Sequence, residues 1–130
     1  GRYEEDMKYF SSTIKNKNIK NIGWISADEA YDYYLASDFA VFPGTHSVLW
    51  EQACASGTPA LFKDWDGGFN HVDVGGNCIL LKNVTKETLK RTMLKVIEQG
   101  DVYASLKENA ISKARKEFSY IEIAKRSIGL

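Results

Sequence analysis

The residues best placed for chemistry lie together in the run Phe42-Pro43-Gly44-Thr45-His46-Ser47-Val48-Leu49-Trp50-Glu51. A short apolar stretch ends at Pro43-Gly44, a turn pair, and Ser47 opens a helical pattern. The first N–H groups of a helix have no partner within it, and the helix dipole adds positive potential there, so an anion is attracted. Gly44 and Val48 supply backbone at this start, and Thr45, His46 and Ser47 add side-chain donors. Glu51 stands four residues after Ser47, on the same helix face and about 6 Å further along the axis. A phosphate at the helix start leaves an attached ribose near Glu51, whose carboxylate can accept hydrogen bonds from both ribose hydroxyls. The geometry suits a nucleoside diphosphate.

A second candidate is the glycine-rich stretch 64–77, which contains Gly67, Gly68, Gly75 and Gly76. It is long for a connection, and long loops in compact domains are often functional. Its glycines either serve turns or let backbone N–H groups approach a sugar and its phosphates. Trp65, lying in this loop, is a candidate contact, whereas Trp24 and Trp50 read as core. His71 and Asp73 read as residues that order the loop rather than as a metal or catalytic pair. No CxxC or HxxxH spacing occurs, so a metal site is not expected.

The elements that must hold these residues alternate. A helix is expected over 4–14, with Met7, Phe10 and Ile14 on one face, and 16–18 breaks it. A strand is expected over 19–25. Ser26 with Glu29 three residues later forms a capping box, opening a helix that carries Ala30, Tyr33 and Tyr34 and ends near Ser37. A strand over 39–42, a helix over 47–56 closed by Gly57, and a strand over 59–63 follow. After the loop come a strand over 79–81 and a helix capped by Thr85, with Leu89, Met93, Val96 and Ile97 on one side. Gly100 and Asp101 turn into a helix with Tyr103, Leu106, Ala110, Ala114 and Phe118 in register, and a last helix runs from 119 towards 129. Short apolar strands between helices predict an α/β fold: a Rossmann-like parallel sheet of about four strands with helices on both faces. Ligands bind such sheets at the carboxyl ends of the strands, which singles out 43–47 and 64–77.

The order of motifs resembles the carboxyl-terminal, donor-binding domain of GT-B-fold glycosyltransferases of the group 1, capsular or cell-surface polysaccharide type. The resemblance rests on Ser47-x-x-x-Glu51-x-x-x-Ala55-x-Gly57-x-Pro59, then Trp65-Asp66-Gly67-Gly68, Val72-Asp73 and Gly75-Gly76-Asn77. Asn21-Ile22-Gly23-Trp24-Ile25 with the helix 28–38, and Phe118-Ser119-Tyr120 to Ala124, extend it over nearly the whole chain. It implies a nucleotide-sugar donor, UDP- or GDP-linked, held by Gly44, Thr45, His46, Ser47, Val48, Glu51, Gly67, Gly68 and Asp73. The sugar passes to a glycan or lipid-linked acceptor bound by an amino-terminal domain, with no metal or other cofactor required for catalysis. Two features depart from the family pattern. Pro43 stands where retaining members often carry a second glutamate, and the chain starts at a glycine resembling the one after the family's second strand. Residues 1–130 are therefore expected to be one domain of a longer enzyme, inactive alone. A sugar-nucleotide 2-epimerase-like domain and a non-catalytic sugar-nucleotide-binding module are the alternatives.

Composition sets the outer bounds. Apolar residues at 44% and charged residues at 26% fit a globular domain and exclude a disordered one. The longest apolar runs fall far short of the roughly 20 residues of a membrane span. The net charge of zero is divided unevenly: from Lys82 onward there are 11 basic and 6 acidic residues, so 17 − 11 = 6 basic and 17 − 6 = 11 acidic precede it. Solvated helix faces account for this. A weaker reading is a basic surface near anionic lipid, which would place the protein in the cytoplasm at the inner membrane face. Nothing points to nucleic acid. Cys54 and Cys78 lie in apolar segments and read as reduced core thiols.

Overall fold

The computed structural model describes Glu5 and residues 17–119. The helices expected over 4–14 and 119–129 lie outside these residues, apart from Glu5 and Ser119. What is described is an α/β fold: a three-stranded parallel sheet flanked by helices, consistent with a Rossmann-like domain. Helix α1 spans Ala27–Ala36, strand β1 Ala40–Phe42, helix α2 Val48–Ala55 and strand β2 Ala60–Lys63. Strand β3 spans Cys78–Leu81, helix α3 Lys86–Glu98 and helix α4 Gly100–Asn109, and a π-helical segment covers Ala110–Ala114.

Strand β2 is the middle strand, paired in parallel with β1 on one side and β3 on the other, with Ala40, Ala60 and Cys78 in one row and Phe42, Phe62 and Leu80 in another. Ala60, Leu61 and Phe62 are buried, as a strand covered on both faces requires. Burying Leu61 and Phe62 contributes about 1.5–3 kcal/mol each. The core continues through Trp50, Ala53, Cys54 and Val72. Trp50 packs against Phe62 with ring centroids 4.7 Å apart, and Phe62 stacks on Phe42 at 5.4 Å.

The caps form where the sequence places them. Ser26 Oγ accepts from the Glu29 N–H and donates to Glu29 Oε1. Ser47 Oγ accepts from the Leu49 N–H. Thr85 and Thr88 satisfy each other reciprocally. Gly57, at φ +75°, follows α2 in the left-handed conformation that glycine adopts most easily. Just beyond it, buried Thr58 donates its hydroxyl to the Tyr34 carbonyl at 2.7 Å, tying α1 to the start of β2.

Three expectations fail. Residues 19–25 form no strand, so the sheet among the described residues has three strands rather than about four. The Asn21 side chain accepts the Gly23 N–H at 2.8 Å and Gly23 sits at φ +68°, a local turn that competes with a sheet ladder. Trp24 is not core: it is 85% exposed. In α3, Val96 is buried but Ile97 faces out, because the helix covers its core with a narrower stripe than the apolar pattern suggests.

The register of Leu106, Ala110, Ala114 and Phe118 does hold, and all four are buried. Residues four apart in an α-helix drift about 40° per step around the axis. The π segment rotates less per residue and so keeps them on one face.

Cys54 and Cys78 are unpaired by disulfide and buried, and burial pushes the Cys54 thiol up to about 12, helped by the charges of Glu51 and Asp73. Burial, with the charge of Asp73, also raises Cys78. Only the thiolate attacks disulfide reagents. Native protein at pH 8 is therefore expected to leave both cysteines unmodified by Ellman's reagent, and denatured protein to release colour from both. Rapid labelling in the native state would contradict the packing.

Candidate functional site

Parallel strands send the segments after β1 and β2 to the same sheet edge, and there the two candidate loops meet. Contacts join the second loop to the first and to the start of α2. Trp65 Nε1 donates to the Gly44 carbonyl at 3.2 Å. Phe69 stacks on the His46 ring, with centroids 4.3 Å apart and planes 1° from parallel. His71 Nε2 lies 2.8 Å from Glu51 Oε1.

The loop 64–77 is built to reach this far. Asp66 and Gly67 both take positive φ, forming a tight turn closed by the Gly68 N–H on the Trp65 carbonyl at 3.0 Å. Asp64 Oδ1 accepts the Gly67 N–H, and Lys63 Nζ sits 4.0 Å over the Trp65 ring. Phe69, at φ +65°, precedes the 3₁₀ turn Asn70–Val72, which presents His71. Val72 is anchored in the core. Asn77, 1% exposed, then brackets the loop from inside: its Nδ2 donates to the Val72 carbonyl at 3.0 Å and its Oδ1 accepts the Val74 N–H at 2.8 Å.

At the centre stands Glu51 on the first turns of α2. Its Oε1 is shared by His46 Nε2 at 2.7 Å and His71 Nε2 at 2.8 Å. Its Oε2 is buried and has no hydrogen-bond partner among the described residues. Burial pushes the Glu51 carboxyl up, but hydrogen bonds from His46, His71 and its own backbone, with the charge of His46, together outweigh it and hold the group below its ordinary value. His46 is further fixed by the edge of Trp50 at 5.1 Å. His71 is the more open of the two, with half of its side chain exposed. The site is thus a carboxylate with two imidazoles, backed by aromatic rings, at a helix start on the carboxyl edge of the sheet.

The residues singled out in the sequence take different places. His46, Ser47 and Glu51 sit together at the start of α2. Gly44 holds Trp65, while Thr45 and Val48 are exposed. Gly67 and Gly68 form the turn beside Gly44. Asp73 Oδ1 accepts the N–H groups of Gly75 and Gly76, both at 3.1 Å, so that oxygen orders its own loop. Sequence reasoning left His71 and Phe69 outside the site. His71 follows Glu51 by 20 residues in a loop, a separation that carries no periodic signal.

No protein-family model matches the chain, and no solved structure matches it. The chain is 27% identical over 111 residues, 83% of its length, to mannosylfructose-phosphate synthase of Agrobacterium fabrum. It spans 24%, about a quarter, of that protein's length. The likeness is distant and partial, and it is a likeness to a glycosyltransferase.

Because Asn77 joins Val72 and Val74 from within, Asn77→Ala takes the acceptor from the Val74 N–H and leaves the buried Val72 carbonyl with only the weak Cys54 Sγ donor at 3.7 Å. A stability loss of about 2–4 kcal/mol in urea unfolding is expected, with faster hydrogen exchange concentrated at 70–77. A variant as stable as the parent would show that the bracket is dispensable.

Proposed function

We propose that the chain is the donor-binding part of a glycosyltransferase that takes a sugar from a UDP- or GDP-linked donor and passes it to a glycan or lipid-linked acceptor. The likeness to mannosylfructose-phosphate synthase supports sugar transfer in general. The observation that carries the donor-binding role is the meeting of the 43–47 and 64–77 loops over the start of α2, with Glu51 between them.

In this reading the diphosphate lies at the helix start. Ser47 already takes the Leu49 N–H with its hydroxyl and the Trp50 N–H with its carbonyl. The N–H groups of Ser47 and Val48 are then the ones that meet an anion, joined by the Thr45 side chain. As the bond to the anomeric carbon breaks, negative charge grows on the diphosphate, and fixed N–H dipoles stabilise that charge without having to reorganise. The ribose hydroxyls turn to Glu51, and exposed His71 swings aside to admit them. Gly67, Gly68 and Asp73 border the donor sugar. Residues 1–130 act as one domain of a longer enzyme at the cytoplasmic membrane face, and acceptor binding belongs to another domain. Among the described residues no helix is long and apolar enough to cross a membrane.

Glu51→Gln tests the role of the carboxylate. Losing charge-assisted bonds to a ligand costs about 1.5–3 kcal/mol, or roughly one to two decades in affinity. Calorimetric titration of UDP and GDP into the intact parent protein and its variant should show that loss for the cognate nucleotide. Equal affinity in both proteins removes Glu51 from the site. Turnover on nucleotide sugars then separates transfer to an acceptor from epimerisation and from binding without chemistry.

A further inference from the structure

His46, Glu51 and His71 carry more than a nucleotide contact. We propose that these three side chains form a binding site for a borderline divalent cation of the Zn²⁺ type. The inference goes beyond the nucleotide reading and does not depend on it.

The geometry is the first ground. One ligand atom from each residue lies within 4.8 Å of the other two, and Glu51 Oε1 is 2.7 Å from His46 Nε2 and 2.8 Å from His71 Nε2. Around a tetrahedral Zn²⁺, with bonds of about 2.0–2.1 Å, ligand atoms stand about 3.3 Å apart. An opening of roughly half an ångström between the carboxylate and each imidazole, with the two imidazole nitrogens brought from within 4.8 Å to the same spacing, admits the ion. Side-chain rotation supplies that much, and His71, on an exposed 3₁₀ turn, has the most room.

The donor set is the second ground. Two imidazoles with one carboxylate suit Zn²⁺, Co²⁺ or Ni²⁺, whereas Mg²⁺ and Ca²⁺ want oxygen ligands in larger number. Three protein ligands leave a further position for water or an oxygen of a bound molecule. The protons balance: each neutral imidazole moves its proton from Nε2 to Nδ1 and presents the Nε2 lone pair, with no net release.

The surroundings are the third ground. His46 is held between the face of Phe69 and the edge of Trp50, and Glu51 is fixed on a helix. Glu51 Oε2 is a buried carboxylate oxygen with no hydrogen-bond partner among the described residues, and a cation on the same carboxylate would add a full positive charge beside it. The consequence is mechanical as well as chemical. The ion joins α2 to the 64–77 loop, and it competes with a ribose for one carboxylate.

Cobalt titration of the untagged full chain, without nucleotide, tests the site. Visible d–d bands that saturate at one equivalent are expected, erased by Zn²⁺ and unaffected by Mg²⁺, and Zn²⁺ should raise the melting temperature. Losing only an outer-shell partner of a metal site costs about 10–100-fold in affinity, so His71→Ala should cost at least about tenfold. His71→Cys should restore binding and add an intense thiolate-to-cobalt charge-transfer band, a signature that a merely structural position 71 could not produce. The proposal is overturned if the parent shows neither cobalt bands nor a Zn²⁺-dependent melting shift. It is equally overturned if His71→Ala binds as tightly as the parent, or if His71→Cys gives no charge-transfer band. Because no nucleotide is present, failure here leaves the donor-binding reading standing, and failure of nucleotide binding leaves this one.

Discussion

Everything at the site depends on β2 being a buried strand paired in parallel on both sides. Ala60, Leu61 and Phe62 have no face open to water, and their backbone groups pair with β1 and β3 in register. Parallel pairing fixes the direction of the chain, so the segments leaving β1 and β2 emerge at one edge. Had β2 run the other way, Gly44 and Trp65 would lie at opposite edges. The aromatic cluster of Phe42, Phe62 and Trp50 then seats α2 on the sheet and aims its first turn at that edge.

The loop after β2 is ordered largely from within, and this lets a long connection hold a defined shape. Asp64, Asp73 and Asn77 spend side-chain oxygens on the loop's own amides, supplying the bonds that a strand or helix would otherwise give. Anchored by Val72, the loop brings Phe69 and His71 to Glu51. A carboxylate facing two imidazoles is electrostatically versatile: it can steady the histidines, accept hydroxyl groups, or share a cation with them. Each use draws on the same depressed carboxyl, whose hydrogen bonds outweigh its burial.

Much of the fold was legible in local sequence. Ser26, Ser47 and Thr85 cap their helices, because a short hydroxyl side chain satisfies a free N–H wherever the helix begins. Gly57 stops α2, since few other residues accept its φ. The alternation of short apolar strands with helices announces a parallel sheet. The expected strand over 19–25 misled because an apolar run cannot report whether a neighbour is there to pair with it, and the Asn21–Gly23 turn won locally. The apolar pattern of α3 overstated its buried face for a similar reason: Ile97 has the right periodicity, but among the described residues no packing partner covers it.

Of the site, Ser47 and Glu51 could be read from four-residue spacing, and His46 from its place beside them. The absence of CxxC and HxxxH spacing argued against a metal ligand set, yet that test reads only ligands adjacent on one element. His71 reaches Glu51 from another loop, through a strand, a tight turn and a core anchor, none of which leaves a spacing rule in the chain. The sequence by itself thus determined the caps, the helix start and the carboxylate on its face, because these follow from neighbours within one turn of helix. The tertiary structure alone decided that two imidazoles share one oxygen of that carboxylate, because side chains 20 residues apart meet only when sheet direction and loop packing bring them together.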